Sequence, residues 1–594
     1  MNFPEFLAAG HPFPMADLEA FEKRAIEAKR NGFTHMDIGQ LYDRSRWQVA
    51  DDPTDPWLQW NLANPSFFKI LPPEPLKNFV PAEEAKKNLD LVIARGKILE
   101  KHGLKGMFTT WDPTWVPECF FDGHPEWRGP RVDHPRRTKN KRFSPCMDHP
   151  DILKMFRDTV RQLLTLVPSI SNILLYTNDS GTGMCWSSML YNSPNGPAAC
   201  RHIGTGQRIA TFLETLRLGA LDAGVDATVT LTSQLSQDER MSALAALKPG
   251  TGLLSWERGE LGDRDFYRAV STNMTYIMPT RALPMHALYA DNLRTAFGAN
   301  RVLANITPLD ESYFADYAEM TYIALSGANY ELLERNALLL TMAKKYVPVN
   351  LAGKLMDGWE KISSGMAMLA YPGPGLTVLD LCLLMQRWVT RPFVPFPLEL
   401  TDDEKSYYIN YLFSANGEEE QADMLIAQGY PIIDSVSGAH FMRRLWTGAI
   451  GKLDSARAIF DELAEQCASE SLRRTAYSLR AMVCLARCGI NCALFQSMMY
   501  ELEGVDGTLV EKPRTWENPD RADVYGVYRN EIDNMYDLLD VLKVYPDIVV
   551  TGERPDQEDC FTFSPEIAKQ IQKKIDIMMN HWQDFDRLFA RPNR

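Results

Sequence analysis

Acidic residues stand at the ends of several apolar runs in this 594-residue chain. The run ILLYTND at 173–179 ends in Asp179, and two glycines, a cysteine and a tryptophan follow it. Other runs end near Asp37 and at Glu257. Two carboxyl groups facing one cleft can perform acid–base chemistry, since one donates a proton while the other activates water or attacks carbon. The pattern predicts Asp179 as general acid, Glu257 as general base or nucleophile, and Asp37 as a further catalytic carboxyl group.

Histidines offer a second way to move a proton. His124 and His134 lie in one long loop, and either could act as a general base. Asp37 paired with one of them is therefore an alternative to the two acids, and His134 joins the three carboxyl groups as a candidate catalytic residue. Acids at strand ends also cap helices or pair with arginine, as Glu257 could do with Arg258.

Indole and polar side chains accompany these acids along the chain. A flat aromatic face suits the C–H face of a sugar ring, and a few polar groups in such a pocket fix the orientation of a ligand. The candidate substrate-binding residues are Trp111, Asp112, His124, Arg128, Arg131, Asn178, Trp186, Trp256 and Arg281. Together they favour a carbohydrate as the binding partner.

The loop at 111–150 is long and basic, which is typical of a functional loop. Seven Lys and Arg residues lie between Arg128 and Arg142, although the whole chain has a net charge of −14. Guanidinium groups bind carboxylates with two hydrogen bonds, so Arg128 and Arg131 are predicted to recognise an anionic group, such as that of a uronic or sialic acid. A solvated basic loop is the alternative.

The sequence predicts no metal and no cofactor. Cys119, Cys146, Cys185 and Cys200 could bind structural zinc, but their spacing matches no CxxC knuckle. Cys484, Cys488 and Cys492 recur every four residues, as small buried residues on one helical face do. The chain has no HxH or HExxH metal motif and no phosphate-binding GxxxxGK[ST] motif, and no GxGxxG follows a strand.

Alternating strands and helices must position these residues in the first part of the chain. Strands are predicted at 3–10, 33–39, 104–111, 170–179, 227–234, 252–258, 274–280 and 301–307, with helices between them, including one at 263–271. If the first is not a strand, the last is expected near 329–331. Apolar strands that alternate with helices indicate a parallel sheet, and eight such units indicate a (β/α)8 barrel with its site where the strands end.

The rest of the chain reads as helical. Residues 1–350 are predicted to form the catalytic barrel, the proline-rich residues 351–400 a connecting segment, and residues 401–594 an α-helical accessory domain. Helices are expected at 402–413, 418–428, 455–466, 471–487, 529–542 and 565–589, of which those within 455–487 form a hairpin. The fold class is therefore α/β, a TIM barrel followed by a mostly α-helical domain that packs on the barrel or forms a homodimer.

Composition and charge restrict the class of partner. The net charge of −14 argues against nucleic acid as a partner. The sequence has no run of 18 apolar residues, so no membrane span is predicted. The N-terminus lacks a basic region followed by an apolar stretch, so a cytoplasmic location with reduced thiols is expected. An export signal that had been removed would leave no trace in this sequence.

Four segments carry a resemblance to a known group of enzymes. KRNGFTHMDIG, DGHPEWRG, SPCMDHPDILKMF and VPSISNILLYTNDSGTGMCW resemble the layout of (β/α)8 glycoside hydrolases, above all family 20 hexosaminidases and family 67 α-glucuronidases, over about residues 1–330. In those families an acid closes strand 4, and Asp179 is similar to it. The adjacent Asp-Glu pair of the hexosaminidases is replaced by Asn178-Asp179, and 274–280 has no strand-7 acid.

The residues and the resemblance together imply an exo-acting glycoside hydrolase that uses carboxylate acid–base catalysis on a neutral or acidic sugar. A hydrolase with an Asp/His pair is one alternative. A barrel that binds carbohydrate without turnover is another, and a lyase or isomerase with a metal held by Asp37, Asp179 and Glu257 is a third. The separation of the carboxyl groups decides between inversion and retention, and the sequence leaves it open.

Overall fold

The chain forms two compact units, seen in a computed structural model. The structure describes residues 3–10, 17–39, 65–133, 141–177, 182–191, 194–255, 266–271, 279–306, 311–370, 388–396, 399–404, 436–503, 521–551 and 563–588. One unit comprises residues 1–51, 60–272 and 289–338, and the other comprises 52–59, 273–288 and 339–594. The predicted domain boundaries at 350 and 400 stay a prediction.

The first unit contains a closed barrel of eight parallel strands. In chain order its strands are β1 (Phe6–Ala9), β2 (His35–Asp37), β3 (Lys105–Thr110), β6 (Ile170–Thr177), β7 (Thr228–Ser233), β8 (Thr251–Ser255), β9 (Phe266–Ser271) and β10 (Arg301–Asn305). Around the barrel they run β1-β10-β9-β8-β7-β6-β3-β2. The remaining strands, β4 (Arg128–Arg131) and β5 (Phe143–Pro145), form an antiparallel pair in the loop after β3. The predicted (β/α)8 barrel is confirmed.

The seventh barrel strand was predicted wrongly. Residues 263–271 were expected to be a helix and 274–280 the strand, whereas Phe266–Ser271 is β9, paired with β8 and β10. Phe266, Ala269 and Val270 have a spacing that a helix face also shows. Pairing with β8 and β10 decides against the helix, and Ala269 lies in the barrel core. Residues 272–278 lie outside the described residues.

Helices follow the strands of the first unit, and residues 286–288 and 339–343 at the ends of two of them are assigned to the second unit. They are Leu18–Arg30, Phe67–Ile70, Ala82–Lys101, Pro150–Leu166, Thr205–Asp222, Gln237–Ala246, His286–Ala296, Glu311–Ser326 and Leu332–Ala343, and 3-10 turns span Glu74–Phe79, Glu118–Phe121, Pro125–Trp127 and Ala198–Cys200. Local capping sets several helix starts. Asp17 accepts hydrogen bonds from the amides of Glu19 and Ala20, and Ser236 forms a capping box with Glu239.

Apolar side chains fill the barrel interior below the strand ends. The inner layer comprises Phe6, Ala8, Met107, Leu174, Leu254, Ala269 and Leu303, with Tyr176 packed against it. His35 also lies here, stacked on Phe6 with ring centroids 4.1 Å apart. Its ring nitrogens contact the Thr34 and Ser171 hydroxyl groups at 2.7 Å. Burial, with Lys105 adding to it, lowers the pKa of His35 to about 3, so the ring is a neutral core residue.

The second unit is helical. Its helices are Val349–Ala370, Val436–Cys467, Glu470–Glu503, Arg521–Val544, Ile567–His581 and Phe585–Leu588, with a 3-10 turn at Trp582–Asp584. The two longest helices pack against each other, as the predicted hairpin within 455–487 requires. Val349–Ala370 packs on Val436–Cys467, so residues 351–370 are helical. Most of 402–413 and all of 418–428 lie outside the described residues.

A buried ion pair lies inside the helical unit. The side chains of Lys574 and Glu531 are both fully buried and paired with each other. Lys574 also donates to the carbonyl oxygens of Trp388 and Val389 at 3.3 Å, and Asn491 donates to Glu531 at 2.9 Å. These extra hydrogen bonds satisfy two charges that would otherwise be costly to bury.

One helix of this unit meets a simple test for a membrane span. The stretch Glu470–Met499 is long and apolar enough to cross a membrane, and 89% of the tested window is buried inside the protein. Core helices of helical domains have this property too. The buried Cys484, Cys488 and Cys492 lie on the same helix. The absence of a membrane partner, the cytoplasmic location and the homodimer stay predictions.

Candidate active site at the barrel mouth

The barrel brings the predicted strand ends to one rim. All eight strands are parallel, so their carboxyl ends, where barrel enzymes place their sites, share one face. β6 ends at Thr177 and β8 at Ser255, so Asp179 and Glu257 each follow a barrel strand by two residues. Several predicted site residues lie outside the described residues, namely Asp179, Glu257, His134, Asn178 and Trp256.

Asp37 is a buried carboxyl group at the end of β2, with 2% of its surface exposed. The amides of Gly39 and Thr109 donate to its Oδ1 at 2.8 and 3.2 Å. Burial raises its pKa to about 6, against the opposing effect of these hydrogen bonds. Near neutral pH this group can therefore exchange a proton, as acid and base catalysts must.

Two aromatic rings lie in the same layer of the barrel mouth. Trp111, just after β3, stacks on Tyr176 of β6 with centroids 5.1 Å apart. Burial raises the pKa of Tyr176, and the charge of Asp37 raises it further, so the Tyr176 hydroxyl group stays protonated. Sequence reasoning missed Tyr176, although its alternation with the core residue Leu174 places it on the inner face of β6.

Asp112 follows β3, and protein donors occupy its carboxylate. Its Oδ1 accepts from the Ser66 hydroxyl group at 2.7 Å, and its Oδ2 accepts from the Phe67 amide at 3.0 Å and the Thr110 hydroxyl group at 2.6 Å. Its own carbonyl oxygen accepts from Thr177 at 2.7 Å, which ties the ends of β3 and β6 together. A direct contact between Asp112 and substrate stays a prediction.

The arginines predicted to recognise an anion already have acidic partners. Arg131 binds Asp133 through Nε at 2.7 and 2.9 Å, and Arg128 pairs with Glu118. Arg128 also lies 4.8 Å over the ring of Phe143. An anionic ligand would have to compete with these acids.

His124 lies on the surface of the loop after β3. It stacks on Trp127 with centroids 3.9 Å apart, and its Nδ1 is 3.0 Å from Glu126. Half of its side chain is exposed. Asp37 is buried in the barrel, so the described surroundings of His124 do not favour the alternative Asp37–His124 pair.

Trp186 lies in the loop after β6 with a left-handed backbone (φ 61°). Its Nε1 donates to the Pro197 carbonyl oxygen at 3.1 Å, and Arg201 lies 5.5 Å from the ring centroid. A Cβ on Gly196 would come within 2.8 Å of the indole, so backbone packs closely on the ring. These neighbours restrict the ring surface that a sugar could reach.

Arg281 was assigned to the mouth because 274–280 was expected to be the seventh barrel strand. With β9 at Phe266–Ser271 that reason is removed. Arg281 belongs to the helical unit, where its amide donates to Ile548 at 2.7 Å and its carbonyl oxygen accepts from the Ser478 hydroxyl group at 2.5 Å. Its placement after a barrel strand is corrected accordingly.

Four side chains of the types that bind metal ions lie close together in the loops after β3 and β6. The thiols of Cys146, Cys185 and Cys200 and a carboxylate oxygen of Asp148 all lie within 4.8 Å of one another. Cys119, the fourth cysteine considered from the sequence, is exposed. Burial raises the pKa of Asp148 to about 6, while hydrogen bonds from the other two thiols lower that of Cys146. Sequence reasoning missed Asp148 because it considered cysteines alone.

Comparison with known proteins gives matches only among solved structures. No protein-family model matches the chain, and no curated protein sequence matches it. A GH138 enzyme targeting pectin rhamnogalacturonan II is 11% identical with a TM-score of 0.47, over 100% of this chain and 69% of that one. A family 89 glycoside hydrolase from Clostridium perfringens is 10% identical with a TM-score of 0.43, over 100% and 65%.

Family 20 also occurs among the similar structures. The tandem GH20 modules of the pneumococcal exo-β-D-N-acetylglucosaminidase StrH are 10% identical with a TM-score of 0.33, over 61% of this chain and 98% of that one.

Proposed function

We propose that the chain is a glycoside hydrolase whose catalytic carboxyl groups surround the barrel mouth. The observation that carries this proposal is Asp37, a buried carboxyl group at a strand end with a pKa raised to about 6. Its charge acts on Tyr176, which stacks on Trp111. A carboxyl group with a raised pKa is what acid–base hydrolysis at near-neutral pH uses. Aromatic surface beside it suits the apolar face of a sugar.

The proposed catalytic pair is Asp179 and Glu257. They follow β6 and β8 by the same two residues, and β7 alone separates these strands in the barrel. Asp179 would protonate the leaving oxygen, and Glu257 would activate water or attack the anomeric carbon. Asp37 would hold a sugar hydroxyl group or replace one member of the pair.

The finer proposal is exo-action on a sugar that can carry a carboxylate. Its support is the basic stretch of the loop after β3, in a chain of net charge −14. Arg131 and Arg128 would exchange Asp133 and Glu118 for the substrate carboxylate. A substrate carboxylate offers the same bidentate geometry, so the exchange keeps the charge-assisted hydrogen bonds.

A panel of 4-nitrophenyl and 4-methylumbelliferyl glycosides, with uronides and sialosides included, tests the proposal. We expect release from one sugar by the wild type, and its loss in Asp179→Asn and Glu257→Gln. Glu19→Gln is the matched control, since Glu19 is an exposed acid on the helix Leu18–Arg30. Addition of azide to Glu257→Ala should restore release if Glu257 is a nucleophile or base.

The outcomes separate the alternatives. Release that survives Asp179→Asn and Glu257→Gln but not Asp37→Asn would move the chemistry to Asp37 and a histidine. A product of elimination or isomerisation, whose formation EDTA treatment abolishes, would favour the metal-dependent lyase or isomerase. A folded wild type that binds sugars and releases none would support the binding barrel and overturn the hydrolase.

A further inference from the structure

Three buried thiols meet at one point in the wall of the barrel mouth. Sγ of Cys146 is 3.8 Å from Sγ of Cys185 and 3.9 Å from Sγ of Cys200. All three side chains are buried. Cys146 directly follows β5 in the loop after β3, whereas Cys185 and Cys200 belong to the loop after β6. Residues distant in sequence therefore present sulfur to the same place.

The spacing agrees with a tetrahedral metal site. A zinc–sulfur bond of about 2.3 Å at tetrahedral angles places two sulfur atoms about 3.8 Å apart. A disulfide bond would need about 2.05 Å. Asp148 completes the set, because one of its carboxylate oxygens lies within 4.8 Å of each thiol. Three sulfur atoms and one oxygen atom make four ligands, the number a structural zinc ion takes.

The polar surroundings distinguish this group from ordinary packing of cysteines in an apolar core. The Asp148 side chain is 5% exposed and that of Arg208 is fully buried, with Nε 2.6 Å from Asp148 Oδ2. Arg208 also donates to the carbonyl oxygens of Cys200 at 2.7 Å and Ile203 at 2.8 Å. A buried arginine thus orients the carboxylate and a ligand-bearing backbone, as outer-shell groups of metal sites do.

We propose that Cys146, Cys185, Cys200 and Asp148 bind one structural zinc ion. On binding, three S–H bonds break, three zinc–sulfur bonds form, and three protons pass to the solvent. The fourth bond comes from the Asp148 oxygen that Arg208 does not hold. Four anionic ligands, a dication and the Arg208 guanidinium group leave a single net negative charge. A set rich in thiolates favours zinc over magnesium or calcium.

The zinc ion would fasten two loops of the mouth to each other. The same loops are joined by Asn195, whose Oδ1 accepts from the Arg131 amide at 2.8 Å and whose Nδ2 donates to the Arg131 carbonyl oxygen at 2.6 Å. Trp186 directly follows Cys185 and packs against the three clustered cysteines. The metal would therefore hold the wall that carries Trp186, whatever reaction the barrel performs.

Metal analysis of the purified full-length chain tests the proposal. Inductively coupled plasma mass spectrometry should find one zinc ion per chain. We expect this zinc to be lost in Cys185→Ser and Cys200→Ser. Cys119→Ser is the matched control, because Cys119 is an exposed thiol in the same loop as Cys146. This control should keep one zinc ion.

A further variant and substitution of zinc by cobalt distinguish loss of the metal site from loss of the fold. Asp148→Cys would give four thiolates, and we expect it to fold and keep one metal ion. Cobalt(II) in place of zinc should show thiolate-to-cobalt charge-transfer bands and tetrahedral d–d bands, both lost in Cys200→Ser. A folded wild type that gains no metal from added zinc would overturn the proposal. A disulfide bond among the three cysteines, or the same zinc content in wild type and Cys185→Ser, would overturn it too.

Discussion

Asp37 and Asp112 stand at the ends of neighbouring strands, β2 and β3, and both are almost fully buried. Their surroundings differ. Both oxygens of Asp112 accept hydrogen bonds from side-chain or backbone donors, namely Ser66, Phe67 and Thr110. The two amides that reach Asp37 both donate to Oδ1.

The difference shows how aspartate can serve two purposes at the ends of two neighbouring strands. Asp112 fastens the segment that begins at Ser66 to the end of β3, and its hydrogen bonds stabilise the fold. Burial raises the pKa of both acids, and it raises that of Asp37 to about 6 although Gly39 and Thr109 donate hydrogen bonds to it. At similar burial, Asp112 is held by donors from two segments, whereas Asp37 is the better candidate for chemistry because its pKa lies near 6.

Activity should separate the two acids most strongly. Asp37→Asn is expected to lower kcat/KM by about 10²–10⁴-fold, the usual contribution of an acid or base group. Asp112→Asn, after the neighbouring strand, should lower it by less than about 10-fold because its carboxylate serves the fold. Initial rates on the substrate found in the glycoside panel measure both. A larger loss for Asp112→Asn would reverse the assignment.

Stability should separate them in the opposite direction. Asp112→Ala removes the acceptor of three hydrogen bonds, although the Thr110 hydroxyl group keeps the Pro65 carbonyl oxygen at 3.4 Å. We therefore expect the free energy of unfolding to fall by about 2–3 kcal/mol. Ser66→Ala removes one of these hydrogen bonds and should cost about 1 kcal/mol. Urea unfolding at pH 7 measures the difference. Equal losses in the two variants would show that Asp112 does not act through its three donors.

The pH dependence of stability should depend on Asp37. Its pKa rises from 3.8 to about 6 on folding, so the folded state favours the protonated acid. Its contribution to stability is therefore full below about pH 4 and is lost as the pH rises through 6, by about 3 kcal/mol in total. Asp37→Asn should unfold with a flatter profile and be the more stable protein at pH 7. Parallel profiles for variant and wild type would contradict a raised pKa.

The smallest expected effect concerns the ring beside Asp37. Tyr176→Phe keeps the stacking on Trp111, so the melting temperature should stay within a few degrees, while KM rises by about 5–10-fold if the hydroxyl group contacts substrate. Trp111→Leu is the companion variant, since it removes the stacking partner and should lower the melting temperature. An unchanged KM in Tyr176→Phe would place the hydroxyl group outside the site.

The sequence predicted the barrel well where each strand is a continuous apolar run, as in 170–179 and 301–307. It failed at β9, because a short stretch such as Phe266–Ser271 satisfies helix and strand spacing alike and only its neighbours in the sheet decide. Strand ends gave Asp37 and Asp112 as candidates but no means to tell them apart, since each acid also accepts from donors distant in sequence, such as Thr109 and Ser66.

The three clustered cysteines show the same limit of sequence-based prediction for metal ligands. The spacing of Cys146, Cys185 and Cys200 matches no metal motif, because the three come from two loops that the barrel brings together. Asp148 and Arg208 could be read from the sequence only as an ordinary acid and a helical arginine. Motif spacing finds ligands that lie close along one segment, whereas this set depends on the contact between segments.

The buried pair of Lys574 and Glu531 in the helical unit has a consequence for how this protein can evolve. Loss of one partner leaves a charge buried without its counterpart and costs about 3–5 kcal/mol, whereas exchange of both for apolar residues is often neutral or stabilising. A lineage that changes one position first must pass through a poorly folded ancestor. We therefore expect positions 531 and 574 to change together among descendants, and a library that randomises both should yield apolar pairs far more often than single replacements.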